Sequence, residues 1–217
     1  MQIDNNKIII TGCARSGSSF ICEVLRYSGL DFIHERRFGN HGIVSWGYFD
    51  SDKKARHFSS LPEQSLQQSQ YKKILQIRDP QKSCNSMGSF ICKKDSRGFS
   101  SWEYIQDIIP EVNSTNCRKE KAVIYWILWN YKLLKDIDYF YWLHQSYKHY
   151  EVICNNFGVN PISLDLYNDW ENKKINTRPK TQKEFNHQKY IPKNLYKEYD
   201  HIMNKGVEHE SRQTLDE

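Results

Sequence analysis

Two short apolar runs, each closed by a turn-forming cluster, frame this chain. Lys7-Ile8-Ile9-Ile10-Thr11 and Lys73-Ile74-Leu75-Gln76-Ile77 are too short for helices and alternate too little for half-exposed strands, so they read as buried strands of a parallel sheet. The first stops at Gly12, and beyond Gly17 the spacing turns helical. Phe20, Ile21, Val24 and Leu25 form one apolar stripe on a helix from Ser18 to Tyr27, stopped by Ser28-Gly29. The second run breaks at Arg78-Asp79-Pro80, where proline suits a first helical turn and opens a helix from Gln81 to Phe90. Leu30 to Ile33 fits another short strand. Trp102–Ile109 and Ala122–Leu134 are predicted helices, Tyr139–Leu143 a strand, Ser146–Phe157 a helix ending at Gly158, and Pro192 to about Asn204 a last helix. Strands that alternate with helices predict an α/β fold, a three-layer α/β/α arrangement around a central parallel sheet with right-handed crossovers. Residues 43 to 70 read as a loop with some helix, 172 to 188 as a polar stretch, and those after about Gly206 as a polar tail open to disorder.

Composition narrows the class. A chain of 217 residues is expected to form a single domain with a core of its own, and the 6 Trp, 14 Tyr and 10 Phe make that core aromatic and argue against disorder. The net charge of +5 suits an anionic small ligand and falls short of the basic density of a dedicated nucleic-acid binder. No apolar stretch reaches the length of a membrane span; the best, Ala122 to Leu134, is interrupted by Asn130 and Lys132. The polar residues 1 to 6 leave no secretory core, so a cytoplasmic protein is expected. The 6 Cys include no C-x-x-C pair and no short Cys/His spacing, which favours free thiols over disulfides or a metal site.

The candidate chemistry sits where strands end. Gly12-Cys13-Ala14-Arg15-Ser16-Gly17-Ser18-Ser19 joins the first strand to the first helix, where backbone N–H groups and the helix dipole attract an anion. Its G-x-x-x-x-G spacing is that of a nucleotide P-loop, with Ser18 in place of the Walker lysine. Arg15 supplies the cation and Ser18 and Ser19 the hydroxyls. Arg78, at the end of a second strand, can pair with a further phosphate, with Ser86 two turns along the following helix as a hydrogen-bond donor.

Together these segments resemble the sulfotransferase family that uses 3′-phosphoadenosine-5′-phosphosulfate (PAPS). Arg15-Ser16-Gly17-Ser18-Ser19 is similar to its 5′-phosphosulfate loop, [K/R]-S-G-T-[T/S], and Arg78-Asp79-Pro80 with Ser86 matches its 3′-phosphate motif R-D-P-x-x-x-x-x-S at the same interval. The resemblance covers roughly residues 7 to 90; beyond it, Asn176-Thr177-Arg178 is similar to a late arginine-bearing loop that closes over the cofactor. Ser18-Ser19 replaces the usual Thr-Thr and keeps both hydroxyls. The long chain and late R-K-G-x-x-G segment of the cytosolic steroid/phenol branch are absent, and arginine in the loop is nearer the bacterial and tyrosyl-protein branch. The resemblance implies a P-loop nucleoside-triphosphate-hydrolase-like fold and PAPS as donor, with adenosine 3′,5′-bisphosphate as product and no metal. It implies a cofactor site from Cys13, Ala14, Arg15, Ser16, Gly17, Ser18, Ser19, Arg78, Ser86 and Arg178, with a small-molecule, glycan or lipid acceptor.

An acceptor hydroxyl or amine must lose its proton to a base near the sulfur. His34 and Glu35 follow the second predicted strand and should emerge at the edge that carries the loop. Glu35 resembles the base of the arginine-loop branch, with His34 and His41 as alternatives, and Arg15 stabilises the leaving phosphate. Two other readings stay open at this point: a P-loop nucleotide kinase or phosphotransferase, and a non-catalytic anion- or RNA-binding module.

Overall fold

The structure, a computed structural model, describes residues 7–35, 37–51, 66–87, 101–172 and 186–213. Five parallel strands form one sheet in the order β2-β3-β1-β4-β5. They are β1 Ile8–Thr11, β2 Phe32–His34, β3 Gly42–Val44, β4 Lys72–Ile77 and β5 Tyr139–Trp142. The helices are α1 Ser18–Tyr27, α2 Pro80–Met87, α3 Ser101–Ile108, α4 Arg118–Leu133, α5 Ser146–Asn156, α6 Leu164–Asn172 and α7 Tyr196–Gln213, with short 3₁₀ turns between several of them.

Side chains alternate across the strands and divide the core into two layers. Ile9, Ile43, Leu75, Ile77, Phe140 and Trp142 pack with Cys84 and Met87 of α2, Trp102 and Ile105 of α3, the buried face of α4 and Ile202 of α7. Ile8, Ile10, Phe32, Val44, Ile74 and Tyr141 pack on the opposite face with α1, α5 and Tyr167 of α6. Helices therefore cover both faces of a parallel sheet, the expected three-layer α/β/α architecture.

Four local readings need correction. Residues 43 and 44, read as loop, join Gly42 to form β3, which lies between β2 and β1 and pairs with both. A run of three residues opening on glycine carries little periodicity, and only its neighbours make it a strand. Gly42 is required there, because a Cβ would sit 2.1 Å from the Ile8 carbonyl oxygen. The second strand runs Phe32–His34 rather than Leu30–Ile33, since the chain first leaves α1 through a turn closed by Leu30 N–H on Leu25 O. A helix at Leu164–Asn172 falls where the sequence signal weakens; its anchor is an aromatic cluster, Tyr167 meeting Phe20, Tyr147 and Tyr150. The last helix continues past Gly206 to Gln213.

Because all strands are parallel, their C-terminal ends share one edge. Gly12, Glu35, Ser45, Arg78 and Leu143 each follow a strand there, and that edge is where ligands bind in open sheets of this kind.

Candidate functional site

The loop from Gly12 to Gly17 is compact and largely satisfied from within. Ser16 N–H donates to Cys13 O at 3.0 Å, and Ala14 N–H donates to the buried Tyr125 hydroxyl of α4 at 2.7 Å. These two amides are committed inside the protein. Cys13 and Ala14 are buried, and burial pushes the Cys13 thiol up to about 12, so it stays protonated and unreactive. Arg15 has φ 73° and Gly17 φ 99°. Left-handed backbone is ordinary for glycine but strained for arginine, and such strain concentrates at functional sites. Ser16 is buried, and among the described residues its hydroxyl oxygen has no hydrogen-bond partner.

Gly17 caps α1 without contributing a side chain. The amides of Ser18, Ser19 and Phe20 lead the helix and have no intrahelical acceptor, so they face the edge as donors with the positive end of the helix dipole behind them. With the two serine hydroxyls they form the anion-attracting part of the loop.

The second motif reaches this loop directly. Arg15 Nε donates to Ser86 Oγ at 2.7 Å, and Arg78 Nη1 donates to the Arg15 carbonyl at 3.0 Å. Trp126 of α4 fixes the backbone of Arg78, its indole N–H donating to Arg78 O at 3.1 Å. Asp79 serves α2 instead: its carboxylate accepts from Lys82 N–H at 2.8 Å and its carbonyl from Ser83 N–H at 2.9 Å, a helix-start role.

His34 and Glu35 complete the edge. His34 Nε2 lies 3.0 Å from Ser18 Oγ, 3.3 Å from Ser19 Oγ and 3.3 Å from Glu35 Oε1. Glu35 N–H donates to Val44 O at 3.0 Å, so β3 holds the backbone that carries the carboxylate. Glu35, like Arg15, has positive φ, at 60°. Burial raises its carboxyl to about 7, opposed by the nearby Arg15 charge. Burial lowers His34 to about 4, which keeps the imidazole neutral at physiological pH.

Most of the residues singled out from the sequence thus meet at one place: Arg15, Ser18, Ser19, His34, Glu35, Arg78 and Ser86. His41 does not. It precedes β3 at the opposite edge, where its Nδ1 accepts from Asp31 N–H at 2.8 Å and its ring stands against Phe157. Arg178 lies outside the described residues, as does Arg36. The aromatic series of α4 is core: Tyr125, Trp126 and Trp129 are fully buried. Two residues that hold the loop carry no motif, Tyr125 and Gln76, and Tyr141 in turn holds Gln76. Only Gln76 leaves a trace in the sequence, a lone polar residue inside the apolar run of β4. Among the described residues there is no cluster of three or more His, Cys, Asp or Glu able to hold a metal, and no helix is long and apolar enough to cross a membrane.

No protein-family model matches the chain, and no curated protein does. Among solved structures it is similar to the mouse sulfotransferase SULT7A1 complexed with PAP, at 13% identity over 93% of this chain and 83% of that one, with a TM-score of 0.42.

Proposed function

We propose that this protein is a PAPS-dependent sulfotransferase. The observation that carries the reading is the junction of its two anion motifs, Arg15 Nε on Ser86 Oγ at 2.7 Å and Arg78 Nη1 on Arg15 O at 3.0 Å. One donor nucleotide with a phosphosulfate at C5′ and a phosphate at C3′ needs two such anion sites side by side on one edge. Ser18, Ser19 and the leading amides of α1 suit the first group, Arg78 and Ser86 the second, with Arg178 assigned to closure over the nucleotide by sequence resemblance alone. A P-loop kinase would need a lysine at Ser18 to grip adjacent phosphates, which makes it the weaker reading.

In the proposed reaction an acceptor hydroxyl or amine attacks sulfur in line, the bond from sulfur to the 5′-phosphate oxygen breaks, and adenosine 3′,5′-bisphosphate leaves. Arg15 and the loop donors stabilise the charge gathering on the leaving phosphate. The acceptor proton passes to Glu35. The two candidate bases differ in electrostatics: a carboxyl at about 7 is matched to proton transfer at neutral pH, whereas an imidazole at about 4 is a poor acceptor there. His34 is then left to orient Ser18 and Ser19. A cytoplasmic location and a small-molecule, glycan or lipid acceptor belong to the same reading.

Thermal denaturation with adenosine 3′,5′-bisphosphate and with ATP-Mg tests it, alongside transfer from radiolabelled PAPS to a panel of alcohols, glycans and amines. Adenosine 3′,5′-bisphosphate at a hundred times its Kd stabilises by about 2.7 kcal/mol, and ATP-Mg is expected to do little. Stabilisation by ATP-Mg alone would exchange the reading for the kinase. Nucleic-acid affinity that falls steeply with salt, with no transfer to any acceptor, would exchange it for a binding module.

A further inference from the structure

Both loop glycines abut one residue, Gln76 of β4. A Cβ on Gly12 would lie 2.5 Å from the Gln76 carbonyl oxygen, and a Cβ on Gly17 would lie 3.1 Å from Gln76 Nε2. The side chain is 1% exposed and spends both ends of its carboxamide: Nε2 donates to Ser16 O at 2.8 Å, and Oε1 accepts from the Tyr141 hydroxyl at 2.6 Å. Tyr141 stands directly across the ladder from Gln76, is fully buried, and stacks on His149 with ring centroids 4.6 Å apart. A buried polar residue in an apolar strand must be satisfied, and this one is satisfied by the loop on one side and by β5 on the other.

The orientation of that carboxamide is fixed by its partners. Ser16 O can only accept, so a flipped amide would set two carbonyl oxygens against each other; the phenol, kept protonated by burial, donates to Oε1 in the unflipped form. The consequence falls on the next residue. In a planar trans peptide C=O and N–H point in opposite directions, so anchoring Ser16 O inward on Gln76 turns the Gly17 amide outward, beside the amides of Ser18 and Ser19. Arg78 anchors the preceding carbonyl, Arg15 O. Gln76 in β4 and Arg78 immediately after it therefore hold two successive carbonyls of the loop.

We propose that Gln76, oriented by Tyr141, is the positioning residue that aims the Gly17 amide at the anion bound by the loop. The inference rests on the reading of that loop as the 5′-phosphosulfate site, although any anion seated there would meet the same amide.

The test follows the Gly17 amide by ¹H–¹⁵N NMR in the full chain while adenosine 3′,5′-bisphosphate or inorganic sulfate is titrated, for the wild type, Gln76→Met and Tyr141→Phe. In the wild type Gly17 is expected to move downfield with Ser18 and Ser19. In Gln76→Met the Gly17 shift is lost while those of Ser18 and Ser19 persist, and affinity falls about tenfold, as for one charge-assisted hydrogen bond. In Tyr141→Phe, where the carboxamide remains but can turn over, the Gly17 shift is reduced and affinity falls about threefold; this variant carries the test if Gln76→Met does not fold. If Gly17 responds to sulfate but not to adenosine 3′,5′-bisphosphate, and the response disappears in Gln76→Met, Gln76 keeps its role and the donor assignment fails. If either variant that folds shows the wild-type Gly17 shift and affinity, the role of Gln76 is wrong while the donor assignment stands. A Gly17 amide that no anion moves in the wild type overturns the proposal as well.

Discussion

Glu35 is useful as a base only when it has lost its proton, and burial delays that loss to about pH 7. Under the proposed function kcat/KM should therefore rise with pH through about 7 and level off above it. Glu35→Gln keeps the shape and removes the basicity, so it should flatten the profile and lower kcat roughly 10²- to 10⁴-fold. Steady-state rates from pH 5.5 to 8.5 check this, and full activity of the glutamine variant with loss in His34→Ala would move the base to His34. The same pair leaves a signature in stability. Between about pH 4.5 and 6.5 the folded pair carries one proton, on the Glu35 carboxyl, and the unfolded chain also carries one, on the His34 imidazole. Equal proton counts mean almost no slope of stability against pH from these residues. Removing one partner exposes the other. In Glu35→Gln, His34 is protonated only when unfolded, so stability should rise as pH goes from about 4 to 6.5. In His34→Gln, Glu35 is protonated only when folded, so stability should fall as pH goes from about 4.5 to 7. Urea unfolding at several pH values measures both slopes, and slopes of the same sign would refute the assignment.

At the scale of elements, the loop and its neighbours are held by residues of the surrounding strands and helices. Gln76 of β4 and Arg78 just after it fix the loop carbonyls, β3 fixes Glu35 through Val44 O, and α4 fixes Ala14 through Tyr125. The last contact gives a measurable dependence. Tyr125→Phe removes the acceptor for a buried amide without opening a large cavity, so the cost is that of leaving Ala14 N–H unpaired, about 1–3 kcal/mol. Denaturant unfolding should show this as a lower midpoint at unchanged m. A loss well under 1 kcal/mol would mean that the loop relaxes and finds another acceptor.

Across the whole molecule, the two anion motifs lie more than sixty residues apart in sequence and meet because β1 and β4 are adjacent in the sheet. Arg78 sits at that junction and has two attachments, one expected to the remote 3′-phosphate and one seen to the loop backbone. Arg78→Ala should raise the KM for PAPS at least tenfold, since binding far from the breaking bond is shared by ground and transition states. A drop of only a few-fold in kcat should accompany it, because Arg15 O loses its anchor. Calorimetry with adenosine 3′,5′-bisphosphate separates the two: unchanged affinity in Arg78→Ala would leave Arg78 a helix-start residue and remove the second motif from the proposed function.

Local pattern was enough for the α/β class, for the strand-loop-helix that begins at Ile8, and for its counterpart at Lys73, because buried strands and amphipathic helices write their periods into contiguous residues. Motif spacing likewise marked Arg15, Ser18, Ser19, Arg78 and Ser86 without any coordinates. What local pattern could not give were features whose cause lies elsewhere in the chain. Three residues became β3 only through pairing on both sides, and α6 is anchored by aromatic contacts with α1 and α5. The same holds for the pKa of Glu35, which comes from burial that no neighbouring residue in sequence announces, and for His41, which the sheet carries to the wrong edge. Gln76 is the clearest case: its neighbours in sequence are apolar, and its purpose is visible only where Ser16 of one loop and Tyr141 of the next strand close on the two ends of its carboxamide. A side chain's chemistry is set by residue type, but its partners are set by topology, and long-range pairing in a parallel sheet is not encoded in any short window of the chain.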